Sequence, residues 1–272
     1  MAGRLYSALL EKILYPDGVP TVQKLHKKLS KLGLMAKLDY SDLEYSKIEH
    51  IIKHSRNVQY THGQIHQIRE KYAIKNRVNK KEYESSQFVY MRMAMALAED
   101  QPHSSKLQDV KQWYDHFSEG RINCPTPNYV NLGTKHKGFA SCCLYSSGDS
   151  APSLAIGDHI AYTMTYMSAG IGSHLNVRSL GDSVKNGIIS HQGKLPYYRA
   201  MVGAVTAQLQ NGRGGACTTH YNLFDPEVEV INKLKNPKST EDKKIRGMDY
   251  SAGANNFFAK KAARNEEIFT FN

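Results

Sequence analysis

The sequence predicts an α/β protein with a helical domain over residues 1–120 and a parallel α/β domain over residues 121–272. Two patterns support this division. Apolar residues recur every three or four positions up to about residue 120, as in amphipathic helices. From about Asn123, short β-like runs alternate with helical segments, an order typical of a parallel sheet with right-handed crossovers. A hydrophobic content of 40% is enough for a packed core.

In the helical domain, three segments place apolar residues on one helical face. The strongest is 81–99, where Phe88, Met91 and Met95 form a broad apolar face that we interpret as core. The other two are 21–34, with Val22, Leu25, Leu29 and Leu32, and 41–54, with Leu43, Ile48, Ile51 and Ile52.

In the α/β domain, five β-like runs alternate with four helices. The helix near 226–235 has the clearest start, because Asp225 suits the N-cap, Pro226 suits the first helical position, and Glu227 places an acid in the first turn. The other helices are predicted near 153–168, 196–209 and 253–264. The predicted strands are 141–146, 172–177, 216–222, 245–250 and 268–272.

The last predicted strand, 268–272, reaches the C-terminus with no helix after it. Parallel sheets normally have both faces and their edges covered. We therefore expect a second polypeptide, or a continuation of this one, to complete the domain.

Composition limits the class of protein. The sequence shows no secretory signal and no apolar run of bilayer length, so we expect a soluble, cytoplasmic protein without a membrane partner. The net charge of +11 favours anionic partners. It does not choose among nucleic acid, phosphorylated small molecules and acidic proteins. A solvated surface accounts for most of the lysines.

The cysteines and histidines do not predict a metal site. The four cysteines form no CxxC pair. The pairs His50/His54 and His62/His66 can each lie on one helical face, but no third ligand follows at a suitable spacing. We interpret these histidines as surface residues.

Two loop segments, 124–128 and 140–143, gather residues suited to a phosphate and to redox chemistry. Thr126 and Ser141 can donate hydrogen bonds to a phosphate, and Cys142 can act as a redox thiol. The alternative for Cys142 is an ordinary buried strand cysteine, which the local sequence favours.

For three further loops, the local sequence allows an ordinary structural role as well as a ligand-binding one. Asp149 can accept a hydrogen bond from a ribose hydroxyl, but the local sequence favours a turn residue. Gly170 lies in a lone GxG after a helix, which is the wrong context for a dinucleotide fingerprint. Arg213, among three glycines, lies either in a ligand loop or in a flexible linker.

The chain as a whole resembles the large subunits of class I ribonucleotide reductases, over about four-fifths of its length. Its sequence is most similar in character to those of the enzymes of large tailed bacteriophages. The matching segments, in the order and near the spacing of the family, are 54–57, 71–77, 82–88, Pro125-Thr126-Pro127, Phe139-Ala140-Ser141-Cys142, Gly148-Asp149-Ser150, Ala169-Gly170-Ile171-Gly172, Arg213-Gly214-Gly215-Ala216 and Met248-Asp249-Tyr250.

The resemblance implies a helical domain followed by one five-stranded parallel half of a ten-stranded α/β barrel. The implied reaction replaces the ribose 2'-hydroxyl of a ribonucleoside diphosphate with hydrogen. A cysteinyl radical starts it and a cysteine pair supplies the electrons. No cofactor is expected on this chain. The implied ligands are nucleoside triphosphate effectors (dNTP or ATP), and a thioredoxin- or glutaredoxin-type protein would reduce the complex.

At the substrate site, the resemblance implies roles for four residues. Cys142 resembles the reducing cysteine on the first barrel strand, and its disulfide partner is expected outside this sequence. Thr126 and Ser141 resemble residues that hold substrate phosphate and ribose, and Gly170 resembles a glycine beside the base. The other cysteines, Cys124, Cys143 and Cys217, match no functional position and are expected to be structural.

At the specificity site, Asp149 with its neighbour Ser150, Arg178 and Lys185 resemble the positions that hold the effector nucleotide. Lys185 replaces an arginine common there, a milder change for a phosphate contact than for a bidentate one. Arg213 resembles the arginine of the loop that relays effector identity to the substrate.

The departures from the family suggest a split enzyme. The radical cysteine is expected beyond residue 272, and too few residues precede Lys71 for the usual N-terminal ATP-binding cone. We expect the chain to join a separately encoded C-terminal half and to dimerise through the helices near 153–168 and 196–209. A radical-generating small subunit completes the expected assembly.

Two alternatives remain. The main one is an inactive remnant of an interrupted reductase gene. The other is a basic nucleic-acid-binding protein, which the charge suggests but which lacks a recognisable motif or a basic stripe with interleaved aromatics. No nucleic-acid partner is therefore expected.

Overall fold

A computed structural model of the protein describes residues 1–76, 78–210 and 213–270. At Leu209, Gln210, Arg213 and Asp242 it describes the backbone alone. The chain divides into two compact units, Met1–Phe139 and Ala140–Asn272.

The first unit is helical apart from one short antiparallel hairpin. A 3-10 turn, His54–Gln59, and a π-helical turn, Ile68–Tyr72, flank its fourth helix. The hairpin pairs β1 (Lys75–Asn76) with β2 (Lys81–Glu82). The helices are α1 (Ala2–Leu14), α2 (Val22–Lys31), α3 (Asp42–Ile51), α4 (His62–Gln67), α5 (Ser86–Leu97), α6 (His103–Ser118) and α7 (Thr126–Asn131).

Side-chain caps fix the starts of α2 and α3, the helices predicted at 21–34 and 41–54. Thr21 accepts a hydrogen bond from the Lys24 backbone N–H, and Ser41 forms a capping box with Glu44. Two predicted core residues are exposed instead. Leu32 comes after the last turn of α2, and Leu43 lies in the first turn of α3, away from its buried residues Tyr45 and Ile48.

The helix predicted at 81–99 is α5, which lies at the centre of the first core. It begins at Ser86 rather than at 81, because Lys81 and Glu82 pair in the hairpin. The predicted core residues Phe88, Met91 and Met95 are fully buried.

The segment 121–139, which the change of pattern assigned to the second domain, belongs to the first compact unit. Tyr129 is buried in the helical core, and Cys124 and Leu132 pack against it. Three apolar contacts along this short segment explain why it stays with the helices although it follows them in sequence.

The second unit combines a parallel sheet with short antiparallel hairpins. The helices predicted near 153–168, 196–209, 226–235 and 253–264 are α8 (Ala151–Tyr166), α9 (Leu195–Thr206), α10 (Val228–Lys233) and α11 (Asn256–Ala263). The strands are β3 (Cys142–Ser147), β4 (Gly170–Leu175), β5 (Leu180–Val184), β6 (Ile189–Gln192), β7 (Leu209–Gln210), β8 (Arg213–Gly214), β9 (Cys217–Asn222) and β10 (Asp249–Gly253).

The parallel sheet has the order β10-β9-β4-β3. Cys142 lies opposite Gly170, and His174 lies opposite His220. One face of this sheet packs on α8 and α9 and forms the second core, in which Tyr198, Met201 and Val205 are buried. The opposite face carries Cys142, Leu144 and Ser146 of β3, all exposed.

The described sheet has four parallel strands rather than the five predicted. Residues 268–270 form no strand, and Phe269 is 80% exposed, while the remainder of the predicted strand lies outside the described residues. A strand exists only through hydrogen bonds to a neighbour, and these described residues pair with none.

Two other predictions shift by a few residues. The strand predicted at 245–250 begins at Asp249, because Ile245 and Met248 are buried in the core before the strand starts. The helix predicted to begin after Asp225 begins at Val228, and the Asp225 carboxylate accepts a hydrogen bond from the Glu227 backbone N–H instead.

Candidate functional site

The exposed thiol of Cys142 lies at the amino end of β3. Its neighbour Ser141 donates a hydrogen bond from Oγ to Cys142 Sγ, over 3.7 Å. The Ser141 backbone carbonyl oxygen accepts a hydrogen bond from the Gly170 backbone N–H at 2.8 Å. Ser141, Cys142 and Gly170 therefore form one surface where β3 and β4 begin. The structure brings together three of the predicted substrate residues.

Packing does not require a glycine at 170. A Cβ built there would contact the carbonyl oxygens of Ser141 at 3.6 Å and Ala216 at 3.9 Å, which are ordinary van der Waals distances. Because glycine has no side chain, the backbone beside the thiol stays accessible, and a flat ligand can approach it closely.

The remaining cysteines have less favourable surroundings for redox chemistry. Burial raises the pKa of Cys217 to about 11, so this thiol stays protonated near neutral pH. Burial also raises the pKa of Cys124. Cys143 alternates with Cys142 along β3 and packs against the core. These surroundings favour the structural roles expected for all three.

The loop after β3 and the segment after β4 meet at the carboxyl edge of the sheet. The Asp149 carboxylate accepts a hydrogen bond from the Arg178 backbone N–H at 3.0 Å and pairs with the Arg178 guanidinium, Nε to Oδ2, at 2.5 Å. Arg178 also donates from Nη1 to the Ser183 carbonyl at 2.9 Å. Its side chain remains 44% exposed, so donors of its guanidinium can reach a ligand.

Ser150 caps α8 beside this ion pair. Its Oγ accepts a hydrogen bond from the Ser153 backbone N–H at 3.3 Å, and Ser153 Oγ accepts one from Gly148 N at 2.8 Å. The loop between β3 and α8 is thereby held in a fixed shape. It places Asp149 at the start of a 16-residue helix.

An antiparallel hairpin of β5 and β6 follows Arg178, and the sequence patterns did not predict it. Lys185 lies in its turn with a φ of 51°, followed by Asn186 at 56° and Gly187 at 90°. The Asn-Gly pair is the signal that would have found this turn. Among the described residues, no hydrogen bond or ion pair joins Lys185 to Asp149 or Arg178.

Two predicted site residues belong to other elements, and the described parts of the structure show no contact between them and the residues described above. Thr126, half-buried, is the first residue of α7 in the first unit. The backbone of Arg213 pairs with Gln210, whereas its side chain lies outside what the structure describes, as do Asn211 and Gly212.

Asn176 and Lys194 support this region, although the sequence did not single them out. Asn176 donates from Nδ2 to Ser146 Oγ at 2.9 Å, which links the ends of β3 and β4. The Lys194 ammonium pairs with Asp225 in a nearly buried contact at the end of the β5–β6 hairpin. Only long-range contacts identify either residue, so no local signal exists.

Within the described parts of the chain, no group of three or more histidine, cysteine or acidic residues is placed to hold a metal ion. No described helix is both long enough and apolar enough to cross a bilayer.

Comparison with known families matches both units. Residues 59–137 match the all-alpha domain of ribonucleotide reductase, and residues 140–272 match its barrel domain. These two matches define a class of protein in which a helical domain is followed by a parallel α/β domain. The chain belongs to the ribonucleotide reductase large-subunit family.

Individual relatives agree. The chain is 32% identical to ribonucleoside-diphosphate reductase 1 subunit alpha of Escherichia coli K12, over all of this chain and 36% of the relative. It is 34% identical to the subunit alpha of Enterobacteria phage T4, over 85% of this chain and 31% of the relative. The chain thus spans about a third of the curated relatives that it matches.

Proposed function

We propose that this chain supplies the substrate surface, one reducing cysteine and the effector site of a ribonucleoside-diphosphate reductase. The observation that carries the proposal is the exposed Cys142 thiol beside Ser141 and Gly170, in a chain whose relatives bear that enzyme's name. Radical chemistry needs further residues, from a continuation of the polypeptide or from a separate one.

Cys142 acts as one member of a dithiol. Replacing the ribose 2'-hydroxyl with hydrogen consumes two electrons and two protons, which two thiols provide as they become a disulfide, and the hydroxyl leaves as water. A redox protein then reduces the disulfide. Ser141 orients the thiol through its hydrogen bond to Sγ and holds the substrate. A contact of Thr126 with the substrate stays a prediction from the family resemblance.

The effector site comprises the ion pair Asp149–Arg178, the capped helix start at Ser150 and the β5–β6 hairpin with Lys185. Asp149 accepts hydrogen bonds from ribose hydroxyls, and the Arg178 guanidinium and Lys185 ammonium face the phosphates. Arg213 communicates to the substrate site which effector nucleotide is bound.

Effector binding can be measured on this chain. A fluorescent deoxynucleoside triphosphate titrated against Asp149→Asn should bind about tenfold or more weakly than against the unaltered chain. The substitution removes a charged acceptor and also releases Arg178 from its orientation.

The matched control is Glu229→Gln. It breaks an exposed ion pair with Lys233 in the same unit. Among the described residues no hydrogen bond or ion pair joins Glu229 to Asp149, Arg178 or Lys185, so the dissociation constant should be unchanged. Equal binding by the Asp149 variant, or no saturable binding by the unaltered chain, would refute this effector site.

The assembly is tested by recovering the tagged chain from the cells that make it and identifying the retained proteins by mass spectrometry. We expect a polypeptide bearing the radical cysteine and a radical-generating small subunit, with reduction of cytidine diphosphate by the mixture. A chain that comes down alone, inactive and aggregated, would favour the inactive remnant.

A further inference from the structure

A wide basic groove lies on the first unit. It runs between the loop that joins α1 to α2, the first turns of α2 and the β1–β2 hairpin, and its volume is about 1150 Å³. Its basic side chains are Lys24, Lys28, Arg69, Lys75, Lys80 and Lys81. None of the residues predicted for substrate or effector lines it.

Only two of these cations are neutralised by carboxylates. Arg69 is held by Glu82 at 2.9 Å, and Lys75 by Glu70 at 2.8 Å. Among the described residues, no carboxylate lies within ion-pair distance of Lys24, Lys28, Lys80 or Lys81. Its six basic side chains face three carboxylates, Asp17, Glu70 and Glu82, so the groove carries an excess of positive charge.

The basic surface continues along α2. A second hollow of about 560 Å³ shares Lys24, Lys28 and Lys81 with the groove and adds Lys27 and Lys31. We call the two together the lysine groove. The larger hollow alone, at about 1150 Å³, exceeds the ~300–1,000 Å³ of typical small-molecule pockets, so an extended polyanion suits the lysine groove better than a single nucleotide.

The free cations of the lysine groove are lysines, because its arginine is occupied by Glu82. An ammonium binds carboxylates and phosphates as a point charge, without the bidentate geometry that arginine uses for phosphate. Exposed apolar residues also line the lysine groove: Ile13, Val19 and Leu32 are 56%, 37% and 51% exposed.

The aromatic rings of the groove are not available to stack on bases. Tyr83 is 6% exposed, and Lys28 Nζ lies 5.6 Å from its ring centroid. The Tyr15 hydroxyl donates to the Tyr83 carbonyl at 3.0 Å, and its ring meets Phe88 edge-on. Single-stranded nucleic acid normally binds through exposed aromatic platforms, which this surface lacks.

We propose that the lysine groove binds an acidic segment of a partner polypeptide in which apolar side chains alternate with carboxylates. The carboxylates pair with Lys24, Lys28, Lys80 and Lys81, and the apolar side chains cover Ile13, Val19 and Leu32. This surface would recruit a partner independently of the reductase chemistry.

The test uses the full chain and two fluorescent probes of equal negative charge. One is a peptide of alternating glutamate and leucine, and the other is a thymidine oligonucleotide. We expect saturable binding of the peptide, weakened about tenfold by Lys24→Gln/Lys28→Gln and weakened by added salt. The matched control is Lys37→Gln/Lys47→Gln, which removes exposed lysines elsewhere on the same unit.

Control binding should stay within twofold of the unaltered chain, and a thermal melt confirms that every variant is folded. Three outcomes would overturn the proposal: no peptide binding, equal loss in the control, or tighter binding of the oligonucleotide with loss in the groove variant. The last would identify a nucleic-acid surface. None of these outcomes bears on Cys142 or Asp149, so the reductase proposal stands or fails separately.

Discussion

Replacing Cys142 by serine is expected to abolish multi-turnover reduction in the assembled enzyme: the steady-state rate should fall by about three orders of magnitude or more. A serine hydroxyl cannot supply an electron or close a disulfide, whereas it preserves the size and exposure of the side chain. The measurement is steady-state reduction of cytidine diphosphate with a thioredoxin-type reductant, beside deoxynucleotide binding by the same preparation.

Two controls separate chemistry from folding. Effector binding should be unchanged, because Asp149 lies at the other end of β3. Cys143→Ser, one residue along the strand and on the core side, should keep substantial turnover. Normal turnover by the Cys142 variant would disprove its role as a reductant.

Arg92→Met is expected to destabilise the first unit by about 3–5 kcal/mol, because it leaves a buried carboxylate without its charge partner. Arg92 and Glu84 are fully buried, and Arg92 Nε donates to Glu84 Oε1 at 2.8 Å. Arg92 also donates to the backbone carbonyls of Leu132 and Tyr129. Thermal denaturation should show a fall in Tm of about 10 °C or more.

The second substitution Glu84→Gln should recover part of that loss. Glutamine removes the buried charge and still accepts the hydrogen bond that Glu84 takes from the Ile74 backbone N–H at 2.7 Å. The double variant should therefore melt above Arg92→Met and below the unaltered protein. A double variant no more stable than Arg92→Met would show that the lost carbonyl contacts, and not the unpaired charge, dominate.

The elements that the sequence predicted well are those that bury an apolar face. The helices α2, α3 and α5 and the strands β3, β4 and β9 fall within a few residues of the patterns, because core burial imposes their periodicity. The hairpin of β5 and β6 was missed because all five residues of β5 are exposed or half-buried, which leaves no apolar alternation to detect.

The candidate site was only partly accessible from local sequence. Locally, Asp149 looks like a turn residue and Cys142 like a buried strand residue. Both residues were identified as site residues only through the resemblance to the family. In the fold, Arg178 contacts Asp149 although the two are 29 positions apart in the sequence. Their roles in binding and reduction stay predictions. Contacts such as Lys194 with Asp225 depend on the tertiary fold and leave no trace in spacing.

The order β10-β9-β4-β3 has a practical consequence for work with this polypeptide. Among the described residues of the unit, β3 and β10 each pair with a single strand, so each presents a row of backbone N–H and C=O groups that no described strand pairs. Leu144 adds a side chain that is 75% exposed on the open face. Such an edge recruits strands from other molecules and promotes aggregation at high concentration. We therefore expect a higher yield of soluble protein from expression at low temperature and from early co-expression with a polypeptide that can pair with the edge.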